Sequence, residues 1–244
     1  MPESLYGTQT LVYGHRGARG YAPMNTIPSF EVAVQQGAHG VELDVHLTRD
    51  GEMVVIHDFT VDGTTDGHGA VENMTFAELR ELDAGAWFDP RYAGTKVPTL
   101  AEVFETLGGL GVNVEIKADT AGIEDAVAGL IRRFNALDRV IVSSFNPLVL
   151  KRFRKVAPEI GMGFLYEPEA PEALMGAMLG IAHEARHPMH TMIDADYMTA
   201  ARRWSYRVNT WTVNDPARAL ELRALGVDIV ITDYPDRILQ AYGA

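Results

Sequence analysis

Short apolar runs alternate with longer helix-like ones along this chain, and that rhythm constrains the fold more than any other feature. Strand-like runs occur at residues 10–13, 40–47, 53–56, 112–116, 140–143, 160–165, 207–213 and 227–231. Helix-like segments occupy residues 27–36, 100–107, 123–135, 147–156, 172–178 and 216–225. Strands separated by helices of this size are βαβ units, whose strands lie parallel. Eight or so such units within 244 residues predict one closed (β/α)8 TIM barrel rather than an open sheet. No repeat or linker divides the chain, so residues 1–244 are expected to form a single domain.

Two places break the rhythm. Only residues 48–52 separate the second and third strand candidates, and a parallel crossover needs roughly a dozen residues. The barrel is therefore expected to be irregular there, and the Arg49-Asp50-Gly51 turn suits a hairpin. The second break is the segment 59–97, rich in Gly, Asp and Thr, with one short helical piece at 76–82. It is expected to be a small insertion after the third strand that covers or shapes a site.

Bulk properties exclude some function classes. A formal charge of −12 argues against nucleic acid or an anionic membrane as partner, since both require basic patches. The chain has no cysteine, which removes disulfides and thiolate sites and fits a reducing compartment. Met1-Pro2-Glu3-Ser4 lacks the basic and apolar regions of a signal peptide, and no stretch reaches transmembrane length. These points predict a cytoplasmic protein without stable membrane association.

Chemistry concentrates at the strand ends, which converge on one mouth in a barrel. His15 ends the first strand, His57 follows the third, and Lys117 follows the next. Glu42 and Asp44 are two residues apart, as are Glu115 and Lys117, so each pair points to one face of its strand. Carboxylates facing inward from apolar strands are costly unless compensated. A hard divalent cation compensates them, because Mg²⁺ and Ca²⁺ prefer oxygen ligands. Salt bridges to nearby arginines are the simpler alternative.

These residues belong to an ordered series: His15-Arg16-Gly17, Pro23-Met24-Asn25-Thr26, Glu42 to Gly51, His57-Asp58, Val97-Pro98-Thr99-Leu100, Glu115-Ile116-Lys117, Ser144-Phe145-Asn146, Trp211-Thr212-Val213-Asn214 and Thr232-Asp233-Tyr234-Pro235. In content and order the series resembles the glycerophosphodiester phosphodiesterases, whose barrel is related to the phosphatidylinositol-specific phospholipases C. The resemblance covers nearly the whole chain. It implies one divalent cation, Mg²⁺ or Ca²⁺, on Glu42, Asp44 and Glu115, with His15 and His57 as general acid and base on opposite sides of a phosphodiester. Arg16 would hold phosphate oxygens and Lys117 would add positive charge beside them. Asn25 would contact the phosphate, brace its loop or serve helix entry, and Trp211 would stack on the glycerol face or fill the core. The implied substrate is a small glycerophosphodiester, cleaved to glycerol 3-phosphate and an alcohol such as choline, ethanolamine or glycerol. Two other readings are a sphingomyelinase D-like lipid enzyme and a non-catalytic barrel that binds phosphate esters.

One position departs from the pattern: the family's Pro-Glu-Asn-Thr reads Pro23-Met24-Asn25-Thr26, so the role of that carboxylate is lost or met elsewhere. His183-Glu184-Ala185-Arg186-His187 matches a zinc-protease pattern, but the pattern works only on a helix, Pro188 follows at once, and the resemblance places this segment on a barrel strand. His190 reads as a surface or packed residue and His46 as a lesser inward-facing candidate. Asp58 and Asp233 read as residues that fix strand ends.

Overall fold

The computed structural model describes residues 5–170 and 172–243; the Met1–Ser4 segment, on which the signal-peptide expectation rests, lies outside the described residues. Nine strands follow one another: β1 (Leu11–His15), β2 (Gly40–Leu47), β3 (Met53–Val55), β4 (Gly111–Ile116), β5 (Val140–Ser144), β6 (Gly161–Tyr166), β7 (Ala185–Pro188), β8 (Arg207–Thr210) and β9 (Ile229–Thr232). All except β3 pair in parallel, and β1 pairs with both β2 and β9, so eight strands close into a barrel. The (β/α)8 expectation holds, with one correction to its strand count. Residues 53–56 do not form a barrel strand: β3 runs antiparallel to β2, with Val45 opposite Val55 and Leu47 opposite Met53. The eighth barrel strand is β7, which overlaps the segment 183–187 that the resemblance places on a strand and the apolar pattern does not.

The hairpin has a local cause. Gly51 takes a left-handed φ of 84°, Thr48 Oγ1 donates to Asp50 Oδ1 at 2.6 Å, and the Gly51 amide closes the turn on the Thr48 carbonyl at 2.9 Å. The antiparallel return brings the chain back down the barrel wall, where the Ile56 amide donates to the Asp44 carbonyl at 3.0 Å. His57 is thereby delivered beside Asp44 rather than a full strand away. The insertion then packs its own small core of Val61, Val71, Leu79, Ala84 and Val97 against Val54 and Ile56. Its one α-helix, α2 (Phe76–Glu81), starts in a Thr75/Glu78 capping box.

The remaining helices are α1 (Ile27–Gln35), α3 (Leu100–Leu107), α4 (Ile123–Arg133), α5 (Pro147–Val156), α6 (Glu172–Leu179), α7 (Ala195–Arg203), α8 (Pro216–Leu225) and α9 (Pro235–Tyr242). Several start on side chains of the motifs quoted above. Thr99 forms a capping box with Glu102, while Asn146 and Asp215 cap α5 and α8, each followed by proline. Alternate strand residues such as Val41, Leu43, Val45, Val112, Val114 and Val142 face the helices and are buried with them in one cluster. Among the described residues, no helix is long and apolar enough to cross a membrane.

The other strand face fills the barrel. Leu5, Tyr6, Tyr13, Ile141, Ala185, Ile229 and Ile231 form an apolar plug, and Gly40 and Gly111 leave room for the Tyr13 ring, which a Cβ at either would strike. Beside the plug lies a polar layer of Asn113, Ser143, His187 and Asn209, all buried. Asn209 Nδ2 donates to His187 Nε2 at 2.9 Å and to the Tyr6 hydroxyl at 3.1 Å, and Gly163 makes space for the imidazole. Burial holds the pKa of His187 down at about 3. Its folded pKa lies below the unfolded value near 6.5, so below that pH the proton binds the unfolded chain first. Stability is therefore expected to be complete above pH 6.5 and to fall as the pH drops, by about 2 kcal/mol from this residue at pH 5. Urea unfolding of the wild type at pH 7.5 and 5.0, repeated with His187→Gln, measures it; a variant with an equally steep acid loss would rule His187 out as the cause.

Candidate active site

The mouth of the barrel holds a cavity of about 270 Å³ lined by His15, Arg16, Glu42, His57, Glu115, Lys117 and Trp211 among others. The sequence-predicted residues thus converge, with two exceptions: Asp44 lies behind the wall, and Asn25 does not line this cavity. Glu42, Asp44 and Glu115 are buried, and each offers a carboxylate oxygen, all within 4.8 Å of one another. Parallel pairing sets this spacing, since β2 and β4 align Asp44 with Glu115.

Asp44 is the hub. Its Oδ2 accepts from Asn25 Nδ2 at 2.8 Å and lies 3.1 Å from Arg16 Nε, while Oδ1 lies 3.4 Å from Lys117 Nζ. Burial alone would raise its pKa, but Arg16 and Lys117 outweigh burial and hold it at about 2. Glu42 and Glu115 go the other way. Burial, reinforced by neighbouring carboxylates, pushes Glu42 well above its ordinary range and Glu115 to about 7, even though Lys117 Nζ lies 2.6 Å from Glu115. Two cations face three buried carboxylates, and one further positive charge would relieve the imbalance. The all-oxygen donor set suits a hard divalent ion, and the buried Asp44 Oδ1 has no hydrogen-bond partner.

The loop after β1 is backbone-strained. Arg16 and Asn25 both take left-handed φ values, 53° and 58°, a cost of order 1 kcal/mol or more each for a side-chain-bearing residue. They brace one another, the Asn25 amide donating to the Arg16 carbonyl at 3.0 Å. Ser29 also donates to that carbonyl at 3.0 Å, and Gly17, at φ 82°, must lack a Cβ because Ser29 occupies its place. The Arg16 amide donates to Glu42 Oε2 at 3.1 Å. Met24 supplies only a thioether 3.2 Å from Arg16 Nη1, so Arg16 pairs with Asp44 and no carboxylate stands at position 24.

Both histidines are backed by carboxylates through Nδ1. Asp233 Oδ1 lies 2.7 Å from His15 Nδ1, and Asp58 Oδ1 lies 2.6 Å from His57 Nδ1. This leaves Nε2 as the outward nitrogen of each ring, and that of His15 lies 3.9 Å from Glu42. Asp233 is itself held by Asn214 at 2.8 Å and Arg19 at 3.3 Å. Burial lowers His15 to about 4 against the pull of Asp233, and burial also lowers His57. His46 Nε2 donates to the His57 carbonyl at 3.2 Å. Asp58 and Asp233, read from the sequence as strand-end residues, instead fix the two rings. Their signal was available in His57-Asp58, but Asp233 meets His15 only through barrel closure.

The remaining sequence candidates fall elsewhere. His183 stacks on Tyr206 with ring centroids 4.7 Å apart, outside β7, while His187 lies within the barrel, so the two share no site. Trp211 follows β8, which stops at Thr210 instead of continuing to residue 213. Its indole donates to the His187 carbonyl at 2.8 Å, and Phe145 meets it edge-on at 5.5 Å.

Comparison with known proteins decides the family. The model of the Glycerophosphoryl diester phosphodiesterase family matches residues 15–237. The chain belongs to that family. A glycerophosphodiester phosphodiesterase of Caldanaerobacter subterraneus subsp. tengcongensis is 39% identical over 236 residues, covering 95% of this chain and 97% of that one. Among solved structures, a phosphodiesterase of Oleispira antarctica, in complex with the product sn-glycerol-3-phosphate, superposes with a TM-score of 0.88 at 33% identity, covering 97% and 98% of the two chains. A glycerophosphodiester phosphodiesterase of Agrobacterium tumefaciens does so at 0.84 and 32%, covering 95% and 99%. As a member of this phosphodiesterase family, the chain carries Glu42, Glu115 and both histidines lining one cavity, with Asp44 behind its wall.

Proposed function

We propose that this glycerophosphodiester phosphodiesterase releases glycerol 3-phosphate and an alcohol in a reaction that needs one divalent cation, Mg²⁺ or Ca²⁺. The reading is carried by the buried carboxylate triad, two members of which line one cavity with two carboxylate-backed histidines. Glu42, Asp44 and Glu115 would hold the ion, which when bound stabilises negative charge on the phosphate oxygens. Arg16 and Lys117 add charge-assisted contacts to those oxygens. His15 and His57 divide the proton work. One Nε2 takes the proton of the attacking hydroxyl and the other protonates the leaving alkoxide. The same pair serves attack by the neighbouring glycerol 2-hydroxyl or by water. Asp58 and Asp233 orient the rings and stabilise each imidazolium as it forms. Asn25 acts at one remove, by fixing Asp44, and Trp211 covers the glycerol face of the substrate.

The acidic charge of −12 and the absence of cysteine support a small-molecule partner, no nucleic acid, no stable membrane association and a cytoplasmic location. Incubation with glycerophosphocholine in Mg²⁺, Ca²⁺ or EDTA, with assay of glycerol 3-phosphate, tests the core of this reading. Turnover is expected with at least one metal and none in EDTA. Full activity in excess EDTA would end the metal-dependent reading, and no product with either metal would end the substrate reading.

A further inference from the structure

The cavity has a second pole that the phosphate chemistry does not use. Phe145, Leu165 and Trp211 form its wall, and Glu167 stands with them. The wall offers carbon. The Trp211 indole N–H is spent on the His187 carbonyl, and Phe145 is packed edge-on to the indole. Such a surface covers the CH face of a polyol but leaves hydroxyls without partners, which is costly on burial. Glu167 supplies what the wall lacks. It has no ion-pair or hydrogen-bond partner for its carboxylate among the described residues, whereas Glu42 and Glu115, the other carboxylates lining the cavity, contact Arg16 and Lys117.

We propose that Glu167 determines specificity for the glycerol arm of the substrate, its two carboxylate oxygens accepting hydrogen bonds from the free glycerol hydroxyls while Trp211 covers the carbon face. This rests on the diesterase reading above. A cationic alcohol is the competing occupant, because an aromatic wall beside a carboxylate also suits an alkylammonium. One contact decides against it. Lys117 Nζ lies 5.6 Å from the Phe145 ring centroid, so that aromatic already faces an ammonium, and a second cation there would be repelled. A neutral diol is not.

The test uses Glu167→Gln, with Glu169→Gln as control because Glu169 is exposed nearby and does not line the cavity. Loss of a charge-assisted hydrogen-bond pair is expected to raise KM for glycerophosphocholine and glycerophosphoglycerol about ten-fold with little change in kcat. Bis(p-nitrophenyl) phosphate carries the reacting diester without glycerol, and its turnover should not change. An equal loss on that substrate, a loss confined to the choline ester, or an equal effect of Glu169→Gln would each overturn the proposal. Calorimetric binding gives an answer independent of turnover. Glu167→Gln is expected to weaken glycerol 3-phosphate about ten-fold while leaving inorganic phosphate unaltered, and equal weakening of both would overturn it. If the wild type binds glycerol 3-phosphate but cleaves no diester, the diesterase reading fails while the Glu167 assignment stands.

Discussion

Replacing His57 or His15 with alanine is expected to lower kcat/KM for glycerophosphocholine about 1,000-fold, the scale of losing a positioned acid or base. The fold should survive both changes. Without His15, Asp233 keeps Asn214 and Arg19 as partners. Without His57, Asp58 has access to water, its side chain being 45% exposed. Neither variant strands a buried charge, so urea midpoints should stay near the wild type. The two variants should then separate on a substrate with a p-nitrophenolate leaving group, which departs without protonation. The variant lacking the acid should recover much of its rate on that substrate, and the one lacking the base should not. Near-normal turnover of glycerophosphocholine by either variant would remove that histidine from the mechanism.

Asp44→Ala is expected to have the largest combined effect. Activity and response to metal should be lost together, and the protein measured in EDTA should lose about 3 kcal/mol of stability, the scale of breaking a buried ion pair. Two effects compete. Removing Asp44 relieves Glu42 and Glu115 of a repelling neighbour, but it also leaves Arg16 with a thioether and Asn25 without its acceptor. The loss should win because Asp44 is held ionised at about 2 and contacts both cations directly. Asp44→Asn, which keeps shape and removes charge, should fall between. Urea unfolding in EDTA and calorimetric titration with Mg²⁺ or Ca²⁺ read the two losses separately. Wild-type stability in Asp44→Ala would mean that the buried cations find other partners.

Much of this architecture is legible before any coordinates, for identifiable reasons. Parallel strands buried on both faces read as apolar runs, and period-two spacing put Glu42 with Asp44 and Glu115 with Lys117. The five-residue link at 48–52 forced an irregularity because no parallel crossover fits it. What local pattern could not supply was strand direction and distant pairing. Residues 53–56 are as apolar as a barrel strand, and only the hairpin register shows that they return antiparallel. β7 escapes local pattern because its sequence, Ala185-Arg186-His187-Pro188, carries a histidine inward and an arginine outward, and only the family resemblance places this segment on a barrel strand. Asn25 was expected at the phosphate, in its loop or at helix entry; its backbone amide does brace the loop at Arg16, and its side-chain amide reaches Asp44, a contact no local pattern announces. Glu167 follows an ordinary strand and carries no motif, so nothing short of the cavity itself singles it out.

The contact between His15 and Asp233 spans 218 residues. His57 meets Asp44 within one hairpin and so is assembled locally, but His15 acquires its carboxylate only when the last strand docks against the first. Until that seam shuts, one of the two histidines proposed to carry protons has no carboxylate behind it. A nascent chain still lacking its final strand therefore cannot present both carboxylate-backed histidines, whatever it has already folded. Turnover by this enzyme is, in effect, a report that the circle has closed.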